Sequence, residues 1–251
     1  MNHLFFIILG LIFGSFASVV IHRLHTNQKG IFWGRSSCPQ CKEELRPRDL
    51  IPVLSYLINK AKCRFCKDLI SFRYPLLEMS MAGFFGLTYQ LVKSEPTWTI
   101  VFYLLITFIF VLLTFYDFLF KEVPDEISLP AIALAVTFSI ATQSIPLSSL
   151  GIGVLVPVLF FGGLFFGSQG RWLGGGDIRI GALMGALLGW PMVLLGLFLG
   201  YLSGAIYSGI GLLIGKFTRR TQIPFVPFLL LGTYISLFWG GDLVEWYFGL
   251  I

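Results

Sequence analysis

The chain has 251 residues, of which 56% are hydrophobic and only 12% are charged, and its mean hydropathy is +0.82. A soluble domain carries about a quarter charged residues, so this chain has too little polar surface to cover a single soluble core. The composition excludes a soluble globular enzyme, a disordered chain and a disulfide-rich secreted domain. It indicates an all-α polytopic membrane protein.

Eight segments are apolar and long enough to be candidate transmembrane helices, because a helix needs about 20 mostly apolar residues to cross a bilayer. The first has no basic n-region and no clear cleavage site, so we expect a retained helix and not a signal peptide. The eight lie near residues 4–22, 76–93, 98–117, 127–143, 148–167, 177–190, 191–215 and 224–241.

Basic residues are concentrated between residues 23 and 73, where 11 of the 18 Lys and Arg residues and 4 of the 13 Asp and Glu residues give a net charge of +7. Because basic loops tend to remain in the cytoplasm, this loop predicts the orientation of the whole chain. Counting eight spans onward puts every remaining basic residue except Lys93 on the same side, including the run Lys216-Phe217-Thr218-Arg219-Arg220. The N-terminus is then expected on the outside.

Glycine is frequent, with 28 residues, and clusters inside the predicted helices. Small residues let membrane helices pack closely, which is the simplest explanation for such clusters. The positions concerned are Gly10, Gly14, Gly151, Gly153, Gly162, Gly163, Gly181, Gly185, Gly196 and Gly200.

All four cysteines lie in the basic loop, as Cys38-Pro39-Gln40-Cys41 and Cys63-Arg64-Phe65-Cys66. Two Cys-x-x-Cys pairs at this spacing are typical of a tetrahedral zinc site. A loop of about 50 residues has too small a core to fold alone, so a bound metal ion would stabilise it. Four protein ligands leave no position for a catalytic water. We therefore predict structural zinc on Cys38, Cys41, Cys63 and Cys66; a redox pair and unliganded thiols are the alternatives.

Three acidic residues, Glu78, Asp117 and Asp177, lie within or beside predicted membrane helices, where ionisable groups are rare. Asp117 ends the third predicted span, and Asp177 opens the sixth after Gly174-Gly175-Gly176, so both are expected at the cytoplasmic membrane surface. Three glycines also let an extended peptide approach closely. The plainer alternatives are an interfacial charge for Asp117 and a helix N-cap for Asp177.

Two carboxylates that lie close together share one proton, because both cannot carry charge at short range. The ionised member can take a proton from water while the neutral member polarises a peptide carbonyl. Asp117 and Asp177 are therefore candidates for aspartic-protease chemistry. Asp125 competes as a partner, but its place after Pro124 favours a cap or turn at the start of the fourth span.

Taken together, these motifs resemble those of the type IV prepilin peptidases, membrane aspartyl proteases that are often also N-methyltransferases. The segments that carry the resemblance are Gly14-Ser15-Phe16, Arg35 to Cys41, Ile51 to Tyr56, Cys63 to Cys66, Ile70 to Glu78, Asp117 to Asp125 and Gly174-Gly175-Gly176-Asp177-Ile178-Arg179. The resemblance implies that Asp117 and Asp177 are the catalytic pair. It also implies prepilin or pseudopilin precursors as substrates, with a short basic leader ending in Gly.

Bifunctional members of that family methylate the new N-terminal amine with S-adenosylmethionine. Glu78 is a candidate for methyl-donor binding, or a helix-start charge that faces the basic loop. The family commonly has Asn where this chain has Ser18, in the part linked to methyl transfer, and Lys where it has Arg179. Peptidase activity without methylation is therefore the alternative function.

The expected organisation is a first transmembrane helix (1–22), a cytoplasmic zinc-binding loop domain (23–75) and a transmembrane aspartyl peptidase core (76–251). The expected location is the bacterial inner membrane, with the zinc loop and the active site facing the cytoplasm. Membrane lipids are expected partners, since a +7 loop attracts anionic headgroups, and no nucleic acid is expected. A proton-coupled transporter and a zinc-module adaptor without catalysis are the rival readings of the whole chain.

Overall fold

The computed structural model describes residues 3–27, 34–38, 40–171, 173–218 and 221–249. Within these ranges the chain forms nine α-helices and a 3-10 turn, and its only β pairings are two isolated bridges. Pro39 of the first cysteine pair and Arg219-Arg220 of the basic run lie outside the described residues.

The helices follow the chain in a simple order. They are α1 (His3–His25), α2 (Leu54–Ile58), α3 (Arg73–Val92), α4 (Thr97–Phe120), α5 (Asp125–Thr142), α6 (Leu147–Ser168), α7 (Gly175–Leu188), α8 (Met192–Leu213) and α9 (Val226–Phe248).

Every predicted transmembrane segment coincides with a helix longer than three turns, which confirms the all-helical membrane class. In the described ranges, six of these helices are long and apolar enough to cross a membrane: α1, α4, α5, α6, α8 and α9. The other two differ for physical reasons. α3 is less apolar along its length than these six helices, with Arg73, Glu78 and Gln90 among its 20 residues, and α7 has only 14 residues, a length of about 21 Å.

The chain divides into two compact units, and the first comprises Met1–Leu112. In this unit α1 lies directly against α3. A Cβ added to Gly10 would lie 2.6 Å from the Cα of Ala82, and one added to Gly14 would lie 2.6 Å from the Cα of Glu78. The prediction that these two glycines serve close helix packing is therefore confirmed.

The second unit, Leu113–Ile251, is arranged around α7, which packs against α5, α6, α8 and α9. The side chains of Ile180, Leu183 and Met184 are completely buried. A Cβ on Gly185 would overlap the carbonyl of Gly153, so α6 and α7 touch through their backbones. A helix of only 14 residues is stable here because other helices surround it.

The glycine prediction holds for only some of the positions in the second unit. Added Cβ atoms would also meet neighbouring atoms within 3.4 Å at Gly181, Gly196 and Gly200. A Cβ added to Gly151, Gly162 or Gly163 would meet no atom of another described element within 4 Å, so packing between the described helices does not explain these three glycines, and that part of the prediction is wrong.

Candidate functional site

Asp117 lies near the end of α4 and is buried, with 5% of its surface exposed. Its Oδ2 accepts the backbone N–H of Val226, the first residue of α9, at 3.1 Å. The N-terminus of a helix carries a partial positive charge and unpaired N–H groups, so it is a favourable place for a carboxylate. The backbone at the start of α9 thus holds Asp117.

Asp177 is the third residue of α7 and is also buried, with 8% of its surface exposed. Its Oδ2 accepts the backbone N–H of Gly174 at 3.2 Å. The N-cap alternative considered for Asp177 is therefore wrong by three positions, because Gly174 occupies the N-cap. Glycine has no side chain to cap the helix, and the carboxylate reaches back from the first turn instead.

The second unit brings these two carboxylates together. They are close enough for their charges to interact directly. Each carboxylate is bound at the N-terminus of a different helix, Asp177 at α7 and Asp117 at α9. The arrangement therefore has two buried acids that are near enough to interact electrostatically and are each fixed by a peptide N–H group.

The segment between α4 and α5 folds back against the start of α7. Lys121 adopts a left-handed φ of +57°, which turns the chain sharply after α4. Val123 then lies against Gly176, where an added Cβ would be 2.6 Å from Cγ2 of Val123. Gly176 is consequently a packing requirement of this turn.

Asp125 forms an ion pair with Arg179, two residues beyond Asp177. The sequence predicted a cap or turn at Asp125, and the residue does open α5, where Pro124 is the N-cap and Asp125 is the first helical residue. The folded-back turn at Lys121 brings it to the start of α7. Asp125 therefore lies closer to the acid pair than its distance along the sequence suggested.

Gly174 and Gly175 differ from Gly176. The nearest atoms to a Cβ on either residue lie 3.7 Å or more away, at ordinary contact distance or beyond. Gly174 is exposed and Gly175 is half-buried. No tight contact in the described part of the chain requires glycine here, and the backbone ahead of Asp177 is open to an approaching chain.

Tyr201 is a site residue that the sequence gave no reason to select. It lies in α8, close enough to Asp177 for the two groups to interact electrostatically, and its ring is 4.9 Å from that of Phe225. It belongs to no motif, and only the packing of α8 against α7 and α9 brings it to the acid pair. The sequence also gave no reason to select the backbone N–H of Val226, because its contact with Asp117 depends on helix packing.

In the first unit, the four cysteines form one cluster in which all Sγ atoms lie within 4.8 Å of one another. The Sγ atoms of Cys38 and Cys66 are 4.0 Å apart. Tetrahedral zinc with bonds of about 2.3 Å requires sulfur separations of about 3.8 Å. The cluster therefore fits a metal ion with four thiolate ligands.

Two equivalent backbone turns build this cluster. Each has a residue with left-handed φ, Lys42 at +59° and Lys67 at +63°, and an isolated bridge closes each turn. The matching backbone hydrogen bonds are Cys38 N–H to Glu43 O and Lys42 N–H to Cys38 O, and Cys63 N–H to Asp68 O and Lys67 N–H to Cys63 O. The two halves of the cysteine cluster thus repeat one local structure at an interval of 25 residues.

The pKa values of two of these thiols, Cys63 and Cys66, are shifted in opposite directions. The backbone N–H of Cys66 lowers the pKa of Cys63 to about 7. For Cys66, the N–H of Asp68 acts in the same direction, but desolvation and the neighbouring thiols outweigh it and raise the pKa to about 11. A bound cation would stabilise the thiolate form of its ligands, which is the chemistry of a thiolate metal site.

Glu78 lies in α3 and is buried, with 8% of its surface exposed. Its Oε2 accepts the backbone N–H of Val53 at 2.7 Å, and the hydroxyl of Ser15 also binds it. Glu78 therefore joins α1, α3 and the loop segment at Val53 within the first unit.

Comparison with known proteins assigns both parts of the chain. The model of the bacterial peptidase A24 N-terminal domain matches residues 8–92, which contain the cysteines and Glu78. The model of the type IV leader peptidase family matches residues 103–209, which contain Asp117 and Asp177. No solved structure matches the chain.

Several curated relatives match almost the whole chain. A prepilin leader peptidase/N-methyltransferase of Bacillus subtilis is 33% identical, over 96% of this chain and 95% of its own length. Proteins of the same name from Aeromonas salmonicida and Pseudomonas aeruginosa are each 31% identical, over 96% of this chain and over 92% and 91% of their own lengths. The chain is a membrane peptidase and belongs to the type IV leader peptidase family.

Proposed function

We propose that this peptidase removes the short basic leader of type IV prepilin-like precursors, with Asp117 and Asp177 as the catalytic residues. The names of its relatives support the substrate class. The observation that carries the assignment of the two residues is their juxtaposition, since two buried carboxylates from distant parts of the chain are each bound at a helix N-terminus and interact with one another.

The chemistry follows from two acids that share one proton. The ionised carboxylate takes a proton from a water molecule, and the water oxygen attacks the peptide carbonyl. The neutral carboxylic acid donates its proton to the carbonyl oxygen as negative charge develops there. Collapse of the tetrahedral intermediate breaks the C–N bond, and the leaving amine receives a proton from the pair.

The open backbone at Gly174 and Gly175 is where we place the precursor. An extended peptide can lie beside these residues without meeting a side chain, because neither glycine has one. Asp177 follows within three residues, so a peptide bond near this backbone lies next to the acid pair. Tyr201 of α8 is close enough to Asp177 to interact with it electrostatically.

We also propose that the cysteine cluster binds one zinc ion with a structural role. Cys38, Cys41, Cys63 and Cys66 would supply all four ligands, which shapes the loop and leaves no open position on the metal. The loop and the acid pair are proposed to face the cytoplasm, in the bacterial inner membrane, because the basic residues of the loop favour that side. Its positive charge also favours contact with anionic lipid headgroups.

N-methylation of the new N-terminus, with S-adenosylmethionine as donor, is the second proposed activity. The names of the relatives support it. The matched N-terminal family domain and the metal-binding loop lie in the part of the chain that the resemblance links to methyl transfer.

One experiment tests both activities. The full chain, purified in detergent, is incubated with a synthetic prepilin-type precursor, with and without S-adenosylmethionine, and the products are identified by mass spectrometry. Leader removal in both samples and an added methyl group only in the second are expected. An intact precursor in both samples would contradict the proposal.

A further inference from the structure

The loop between α1 and α3 contains a short segment, residues 47–58, whose outer side is apolar and exposed. It comprises the 3-10 turn Pro47–Leu50 and the helix α2. Five of its apolar side chains are exposed: Leu50, Ile51, Leu54, Leu57 and Ile58. The last three lie at positions i, i+3 and i+4 of α2 and so share one face of it, and each exposes more than half of its surface. An exposed apolar patch of this kind marks a contact with a protein or a membrane.

The inner side of the segment is attached to the rest of the first unit. Asp49 forms an ion pair with Arg64 at 3.5 Å. The ring of Tyr56 meets the ring of Phe72 edge to face, with centroids 6.4 Å apart. Between these two attachments the backbone of Val53 is also bound. The positions that are held thus alternate with the positions that are exposed, which gives the segment two distinct faces.

The contact at Val53 brings the segment to the level of the membrane-spanning helices. The N–H of Val53 donates to Oε2 of Glu78 at 2.7 Å, and Glu78 is the sixth residue of α3, about 7 Å along the helix from its start. Glu78 packs against Gly14, which is the twelfth of the 23 residues of α1. Because α1 is long and apolar enough to cross a membrane, the segment lies beside a membrane-spanning helix and not beyond its end.

Exposed apolar side chains continue from the segment onto α3. Phe72, which contacts Tyr56, directly precedes this helix and is exposed, as are Leu76 and Met79 in its first two turns. Since α3 packs along α1, side chains on its exposed surface are surrounded by acyl chains in a bilayer. The apolar surface of the segment is therefore continuous with a surface at membrane depth.

Charge also favours lipid as the partner of this surface. Exposed basic residues lie at both ends of the segment, Arg46 and Arg48 at its start and Lys60 and Lys62 just after it. Helices that lie in a membrane interface combine an apolar face with basic residues, which contact anionic headgroups. The proposed substrates have a basic leader, and a surface flanked by basic residues repels such a leader.

We propose that residues 47–58 form an interfacial anchor, which inserts Leu54, Leu57 and Ile58 into the leaflet nearer the loop. This deepens the proposed contact of the loop with anionic lipid, because charge alone would leave the loop above the headgroups. Arg64, the partner of Asp49, lies within the second cysteine pair. The anchor therefore also connects the cysteine cluster to the membrane surface.

The test uses the full zinc-loaded chain, reconstituted in vesicles of phosphatidylcholine and phosphatidylglycerol. A fluorescent amino acid replaces Leu57, and its emission is quenched either by lipids with bromine on their acyl chains or by iodide in the water. Ile12, exposed on α1, gives the lipid reference, and Glu43, exposed in the turn of the first cysteine pair, gives the water reference. We expect position 57 to behave like position 12, also at high salt, because salt screens charge contacts but not apolar insertion.

A charge on the apolar face should withdraw the segment from lipid. Leu54→Glu should therefore reduce the brominated-lipid quenching at position 57 severalfold and raise the iodide quenching. Leu69→Glu makes the same change at an exposed leucine outside the segment, and this matched control should leave both values unchanged. Bound zinc and thermal unfolding, measured on each variant, show whether the fold is retained.

Iodide quenching at position 57 as strong as at position 43 would overturn the proposal, and so would loss of lipid quenching at high salt, which indicates charge contact alone. Shielding from both quenchers would assign the surface to a second copy or to another part of this chain. Shielding that develops only with added precursor would assign it to substrate, and either result overturns the anchor.

Precursor cleavage in the same vesicles tests the proposed function separately. A chain that cleaves while position 57 lies in water would overturn the anchor alone. A chain that inserts position 57 into lipid but leaves the precursor intact would support the anchor and overturn the peptidase assignment.

Discussion

The carboxylate of Asp117 and the backbone N–H of Val226 meet at 3.1 Å, although 109 residues separate them in the sequence. The contact makes the first turn of α9 part of the proposed active site, since it fixes one of the two acids. It also explains why Asp117 can be buried, because a helix N-terminus stabilises a carboxylate through its unpaired N–H groups.

Replacing Val226 by Pro removes this N–H at a helix position that tolerates proline. A lost hydrogen bond to a charged group costs about 1.5–3 kcal/mol, so we expect cleavage to slow by roughly 10- to 100-fold. Val226→Ala keeps the N–H and is the control for the lost side chain. The measurement is the initial cleavage rate of each variant at equal folded concentration. Equal rates would show that the Val226 N–H does not act on the acid pair.

Gly176 should be required for the turn that contains Val123. A methyl group at this position would lie 2.6 Å from Cγ2 of Val123, and overpacking of this kind costs about 1–3 kcal/mol. Gly176→Ala should therefore lower both the melting temperature and the cleavage rate, and Val123→Ala should restore part of each in the double variant. Gly175→Ala, which meets no such contact, is the matched comparison for stability. If the melting temperature and the cleavage rate of the double variant are no higher than those of Gly176→Ala, the steric explanation is wrong.

The ion pair between Asp125 and Arg179 should support the acid pair without taking part in the chemistry. Asp125 is largely exposed and Arg179 is half-buried, and exposed ion pairs are worth about 0.2–1 kcal/mol. Asp125→Asn should consequently slow cleavage by less than about fivefold. A double-mutant cycle with Arg179→Gln measures the coupling, and complete loss of cleavage in Asp125→Asn would make this residue a member of the catalytic pair.

Loss of one cysteine should release the metal and unfold the two knuckle turns locally. Metal binding supplies much of the folding free energy of such small modules. The helices are held by their own packing, so Cys63→Ser should lose zinc and reduce methylation by a larger factor than cleavage. Metal analysis and both activity assays check this, with Lys60→Ala in the same loop as control. Stoichiometric zinc in purified Cys63→Ser would remove the four-ligand assignment.

Hydropathy and motif spacing predicted a large part of this protein, because transmembrane length and metal-ligand spacing are local properties of a sequence. The helices and the cysteine cluster lie where they were expected. Contacts that depend on tertiary packing were not predictable in this way. The turn at Lys121 that brings Asp125 to Arg179 depends on one left-handed residue, and the Val226 N–H depends on where α9 begins.

The role of each glycine also could not be predicted from the sequence. The composition predicts that helices pack closely somewhere, but only the folded structure distinguishes Gly185 from Gly162. A Cβ on Gly185 would overlap the backbone of Gly153, whereas one on Gly162 would meet no other described element within 4 Å. Asp177 is a further example, since its carboxylate caps α7 from the third position because the N-cap residue is a glycine.

The most direct test of the central claim is the initial rate of precursor cleavage by Asp117→Asn and Asp177→Asn, measured at equal folded concentration beside Asp125→Asn. Asn keeps the shape and the hydrogen bond to the backbone but cannot exchange a proton with water. General acid–base assistance is worth roughly 10²–10⁴-fold, and the pair acts as a unit, so each of the first two variants should show almost no cleavage while Asp125→Asn retains most of it. Cleavage at an undiminished rate by either Asp117→Asn or Asp177→Asn would contradict the account.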